Sequence, residues 1–223
     1  SGEAVWYQNL TKYVAASHIE GFSQFEDGER YCINDQGAGQ VLVVSSRNVV
    51  EHALQASDLE KMGAWATNAT VYKWAFMGHE CRATKDDTII TTGYAYQLVD
   101  ETLEIDHQEV RFVAEEFVLL WSPEASVGNG FDDDADGQHQ TIEHMLWLSD
   151  YVSLEDVLEA RNESSKDVIL EFTTDLRMNG TRLDGSYADN PGFVEGTGIM
   201  YLHVSSASVS EDGLSYIISM RNI

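Results

Sequence analysis

The sequence predicts an α+β domain in which long antiparallel strands follow an N-terminal helical layer. Three observations carry this reading. Within residues 3–17, Val5, Leu10, Tyr13 and Val14, with Trp6 nearby, recur at helical spacing. Residues 88–99 and 108–121 are two runs rich in β-branched and aromatic residues, joined by the short acidic connection 100–107. Long β runs around a short polar loop read as an antiparallel hairpin. A third β run, 69–83, precedes them and turns through Lys85-Asp86-Asp87.

The remaining elements follow in order. Ile19 to Phe25 reads as a second short helical turn that ends near Asp27-Gly28. Residues 29–35 read as a strand stopped by Gln36-Gly37-Ala38-Gly39, and Val41-Leu42-Val43-Val44 as another. Ser45 or Ser46 suits the cap of a helix over 47–55, with Val49, Val50, Ala53 and Leu54 as its buried face. A further turn runs from Ser57 to Met62, and Gly63 ends it. Beyond Trp121 the rhythm changes. Residues 141–148 and 153–161 read as helices, the second opening on a capping box with Asp156 in place of Glu. Residues 168–178 read as a strand, Asn179-Gly180 as a tight turn, 181–187 as its partner, 198–208 as a clear strand and 214–220 as a last one. The whole, 1–223, reads as one domain, with 123–196 an insertion within it, because such a length is small for an independent core.

Of the 223 residues 43% are hydrophobic, enough for a real core. The formal net charge of -25 excludes a nucleic-acid partner and disfavours an anionic membrane surface. No apolar run reaches membrane-spanning length, and no signal or transit sequence is read at the start. Cys32 and Cys81 are either two buried thiols or one disulfide. The lack of a Cys-x-x-Cys pair or a dense framework favours free thiols and a cytoplasmic setting. Four Asn-x-Ser/Thr triplets, at Asn9, Asn68, Asn162 and Asn179, matter only if the protein is secreted.

The order and spacing of these elements resemble the nuclear transport factor 2-like superfamily, especially its SnoaL-like branch. The matching residues are Gly21-Phe22 and Phe25 before Tyr31-Cys32-Ile33, then Gln40 to Arg47 entering a helix. Asp86 to Gly93, Phe117-Val118-Leu119-Leu120-Trp121 and Tyr201 to Ser206 complete the set. The resemblance implies a cone-shaped curved antiparallel sheet wrapped around N-terminal helices, with a pocket inside. The chain departs from the family after Trp121, where a long insertion before the last core strand replaces a tight turn. Members of the family include isomerases, dehydratases and non-catalytic binding or association domains, so fold alone leaves function open. His203-Val204-Ser205-Ser206 is similar to the closing strand of the iota-class carbonic anhydrases, which hold a water without metal. Leu202 stands where that class has a first His.

Strand alternation places Ile90, Thr92, Tyr94, Tyr96 and Leu98 on one face. It groups Val110, Phe112, Ala114, Glu116, Val118 and Leu120 on another, and Ile199, Tyr201, His203 and Ser205 on a third. If these faces meet, Thr92, Tyr94, Tyr96 and Ser205 line a ligand pocket, with Glu116 and His203 as candidate bases. Asp132-Asp133-Asp134-Ala135-Asp136-Gly137 through Glu143 fits the spacing of a calcium loop. Its ligands would be Asp132, Asp134, Asp136 and Glu143. His139 stands where an apolar residue usually packs, and no helix enters the loop. The other histidines, His18, His52, His79, His107 and His144, are scattered.

Three functions follow as expectations. The first is a binding module for a small apolar or amphipathic molecule, with no organic cofactor. The second is an isomerase, dehydratase or metal-free carbonic-anhydrase-like enzyme based on Glu116 or His203. The third is a homodimerisation domain using an outward face of Val113, Phe117, Leu119 and Trp121.

Overall fold

The computed structural model describes residues 19–36, 38–55, 58–59, 70–123, 141–163, 168–179, 181–182, 193–210 and 215–222. The helix expected over 3–17 and the acidic loop of Asp132, Asp134 and Asp136 lie outside them. Thirteen strands and one α-helix are seen among the described residues. They run β1 (Ile19–Gln24), β2 (Arg30–Asp35), β3 (Gln40–Ser45), β4 (Val50–Gln55), β5 (Thr70–Ala83), β6 (Ile89–Ile105), β7 (Gln108–Ser122) and β8 (Thr141–Trp147). Helix α1 (Leu154–Glu163) follows. Then come β9 (Glu171–Asn179), β10 (Thr181–Arg182), β11 (Phe193–Met200), β12 (Val204–Val209) and β13 (Tyr216–Met220).

Strands β1-β2-β3-β4 form a small antiparallel sheet. A larger one has the order β10-β5-β6-β7-β11-β9, with β8 also paired to β7, and β12 pairs β13. The chain is thus mostly β in several sheets, not a cone wrapped around N-terminal helices. The expected α+β class is overturned by three segments that pair as strands. Ile19–Gln24 is β1 because Gly21 presses onto the backbone of β5. A Cβ there would lie 2.8 Å from the Cys81 nitrogen, so the glycine marks a close approach, not a helix end. Val50–Gln55 is β4 because the Ser45 region makes a tight turn. Asn48 adopts φ 64°, its N–H donates to the Ser45 carbonyl, and the Ser45 N–H donates to that of Val49. Serine signals turns as well as caps. Thr141–Trp147 is β8 because the upper part of β7, Phe117 to Ser122, offers it an antiparallel ladder. The segment 123–196, expected as an insertion, therefore adds strands to the main sheet itself.

The two runs pair as an antiparallel hairpin, as expected. Ile90 pairs Leu120, Thr92 pairs Val118, Tyr94 pairs Glu116, Tyr96 pairs Ala114 and Leu98 pairs Phe112. Its connection is shorter than expected, because β6 continues to Ile105 and turns on Asp106 and His107 alone. Both take positive φ, 50° and 63°, the pair of left-handed residues that a two-residue hairpin turn demands. The capping box on α1 is present. The Ser153 Oγ accepts the Asp156 N–H at 3.1 Å, and Asp156 Oδ2 accepts the Ser153 N–H at 2.9 Å.

Two cores flank the hairpin. On one face Phe117, Leu119 and Trp121 pack with Phe25, Cys32, Val41, Val43 and Leu54 of the small sheet. The face expected to bind a second copy is covered within the chain: Trp121 is fully buried. Cys32 and Cys81 form a disulfide between β2 and β5, which corrects the expectation of free thiols. The spacing of Cys residues alone does not reveal it, since the hydrogen-bonded packing of β1 and β2 on β5 brings their Cα atoms to 5.9 Å. On the other face Tyr96, Phe112, Ala114 and Val118 join Ile199, Tyr201, Leu202 and Val204 in one core. Among the described residues no helix is long and apolar enough to cross a membrane.

Candidate functional site

The strand expected over 198–208 is broken. β11 ends at Met200 and lies parallel to β7, whereas β12 begins at Val204 and joins a different sheet. Between them His203 takes φ 52°, a strained value for a residue with a side chain. Glu116 holds this turn in place. It is fully buried on β7, and its Oε1 and Oε2 accept the backbone N–H groups of His203 at 2.7 Å and Val204 at 2.8 Å. Burial pushes the Glu116 carboxyl up. The Val204 and His203 N–H groups pull it down and the nearby Glu171 charge pushes it up again, leaving it at about 7. The same surroundings raise Tyr94, through burial first and then Tyr96 and Glu116, to about 12.

The turn delivers the His203 ring to a polar cluster. Its Nδ1 lies 2.8 Å from Glu171 Oε1 at the start of β9. That oxygen also accepts from Arg221 at 2.5 Å and Asn222 at 3.4 Å, just after β13. Arg221 Nη2, a donor only, also approaches Nδ1 at 3.3 Å, but the shorter contact with the Glu171 carboxylate, which only accepts, favours the proton on Nδ1 and a lone pair on Nε2. Burial lowers the His203 pKa, with Glu171 opposing and Arg221 adding to the effect. For Glu171, burial raises the carboxyl, but Arg221 and His203 outweigh it and hold it below its ordinary value.

Facing His203 Nε2 at 3.2 Å is Nε2 of His79. A wide bulge in β5 puts it there. Phe76 pairs Gly93 and Cys81 pairs Thr91, so five steps on β5 oppose two on β6. The extra residues turn His79 outward, where it is exposed, and Glu80 inward, where its Oε2 accepts the Ala207 N–H at 3.1 Å. Bulges of this kind re-aim side chains. Asn34 anchors the bulge from β2 by donating to the Glu80 carbonyl at 3.0 Å.

The structure thus brings together Glu116 and His203, with Tyr94 and Tyr96 alongside, their rings edge to face at 5.4 Å. The Tyr96 hydroxyl donates to Thr173 Oγ1 at 3.3 Å. Thr92 is fully buried and its Oγ1 has no hydrogen-bond partner among the described residues. Ser205 lies half-buried on β12, in another sheet from His203's neighbours on β11. Glu143, expected as the last calcium ligand, is exposed on β8, in a strand and not at the head of a helix. Among the described residues no three His, Cys, Asp or Glu side chains are grouped to hold a metal. His79, Glu171, Arg221 and Asn222 were not picked out by sequence reasoning. Gly78 before His79, inside an otherwise long β run, was the one available sign of a bulge.

No family model, curated protein or solved structure matches the chain.

Proposed function

We propose that this chain is a binding module that takes a small polar ligand at the rim formed by His79, Glu171, His203 and Arg221. One observation carries the reading: four segments far apart in sequence converge there on a single carboxylate–imidazole pair that reaches the surface. Glu171 and Arg221 keep 34% and 55% of their side-chain surface exposed, so a ligand can reach both charges. The apolar face of the hairpin that an amphipathic ligand would need is occupied by core side chains. Glu116, the strongest candidate base, has both oxygens engaged by backbone N–H groups, which suits a clamp better than a proton acceptor. The Cys32–Cys81 disulfide favours an oxidising compartment over the cytoplasm.

A thermal-shift titration with small hydroxy- and amino-carboxylates tests this. At least one should raise the melting temperature of the wild type and lose that effect in Arg221→Ala and Glu171→Gln. A ligand that stabilises all three proteins equally would sink the rim as the site. One contact favours a second reading as a general acid–base enzyme: the Glu171–His203 pair is the oriented imidazole that such chemistry uses. Turnover that persists in His203→Gln would remove it.

A further inference from the structure

We infer that His79 and His203 form a binding site for a divalent transition-metal ion. The inference rests on the ligand-binding reading above and names a ligand for the same rim. Two imidazole nitrogens held by a tetrahedral ion at about 2.05 Å sit roughly 3.3 Å apart. Here the two Nε2 atoms are 3.2 Å apart and the ring centroids 5.3 Å, so the rings meet nitrogen to nitrogen. The Glu171 carboxylate fixes the His203 tautomer by accepting from Nδ1, which leaves Nε2 as the ligating atom. A carboxylate behind a histidine is the usual support of a metal-bound imidazole. Both rings stand on constrained backbone, one in a bulge and one at a left-handed turn, so little ordering is required on binding. Among the described residues no third such ligand joins the pair. The remaining positions fall to water or to a second ligand atom, giving an open site. Imidazole donors select copper, nickel and zinc over calcium and magnesium, with Cu²⁺ the tightest. On binding, the ion takes the place of the proton between the two Nε2 atoms, and His79 carries its N–H on Nδ1 instead, so both ligands remain neutral imidazoles.

The test is calorimetric titration of tag-free, oxidised protein with CuCl₂, NiCl₂, ZnCl₂ and CaCl₂. The wild type should bind one equivalent of Cu²⁺ at this site, more tightly than Ni²⁺ or Zn²⁺, and Ca²⁺ should not compete. His79→Ala, at an exposed position, should keep the wild-type circular dichroism spectrum and weaken Cu²⁺ at least tenfold. Glu171→Gln should weaken it by roughly 10- to 100-fold. His144→Ala, on the exposed face of β8, should change nothing. Cu²⁺ affinity unchanged in His79→Ala, including binding held instead by the acidic segment 131–136, overturns the inference, as does a wild type that takes no transition metal. A wild type that takes copper at the pair but responds to no carboxylate in the thermal-shift series leaves this inference standing. It removes only the reading of the rim as an organic-ligand site.

Discussion

On one face of the β6–β7 hairpin, Ile89, Phe117, Leu119 and Trp121 meet the small sheet, and the Cys32–Cys81 disulfide ties that sheet to β5. On the other, Glu116, paired across the hairpin with Tyr94, meets the turn that carries His203. The first face is held by burial, which is non-directional and spread over many atoms. The second depends on a few hydrogen bonds and buried charges, each of which matters singly. The proposed site sits with the second because only directional contacts fix an imidazole's tautomer and aim.

The largest expected loss lies on the apolar face. Trp121→Ala removes its largest fully buried side chain and should lower stability by about 3–5 kcal/mol. Denaturant midpoints read the effect, and a loss below about 1 kcal/mol would show that the small sheet does not pack there as described. Next comes the cross-link. Reducing Cys32–Cys81 opens a link spanning 49 residues and should cost about 2–4 kcal/mol. A thiol titration of the unreduced protein should find no free thiol, and two reactive thiols would break the comparison at its root.

The polar face is probed by pH. Glu116 has its carboxyl raised from 4.5 to about 7 in the folded chain. A raised acid binds its proton more tightly when folded. Its contribution to stability is therefore complete below pH 4.5 and is lost as pH rises through 7. The shift corresponds to at most about 3 kcal/mol. Glu116→Gln should abolish this slope while costing a constant increment, because one backbone N–H loses its acceptor. Glu115, also raised by burial, is common to both proteins and cancels in the difference. Parallel stability profiles for wild type and variant between pH 4.5 and 7 would show that the clamp does not titrate.

The same contrast explains what could be read in the sequence. The hairpin was legible because period-two alternation reports which residues share a face, and Tyr94 does stand beside Glu116. The helices assigned to 47–55 and 141–148 were not, since Val-Glu-His-Ala-Leu-Gln and Thr-Ile-Glu-His-Met-Leu-Trp satisfy either period. Which wins is decided by an available strand edge. Glu116 and His203 could be paired from their faces, but their actual relation, a carboxylate on a backbone turn, depends on a chain reversal that no local pattern announces. His79 and Glu171 are hidden for a similar reason. A bulge and a sheet crossover bring them together, and neither leaves a spacing to recognise.

The smallest effect belongs to the tip of the hairpin, which touches neither face. Asp106 and His107 both hold positive φ, a cost that glycine escapes. Asp-Gly is a preferred pair for such a turn, so His107→Gly should raise stability by about 0.5–1 kcal/mol. Asp106 keeps its 2.8 Å ion pair with Arg161 of α1, so the change leaves that contact in place. Metal binding at the proposed His79–His203 pair, which sits beside the middle of β7 and the start of β6 and not at this turn, should be untouched by it. If His107→Gly weakened copper as His79→Ala does, the hairpin would be transmitting strain to the rim, and the two faces could no longer be treated as separable.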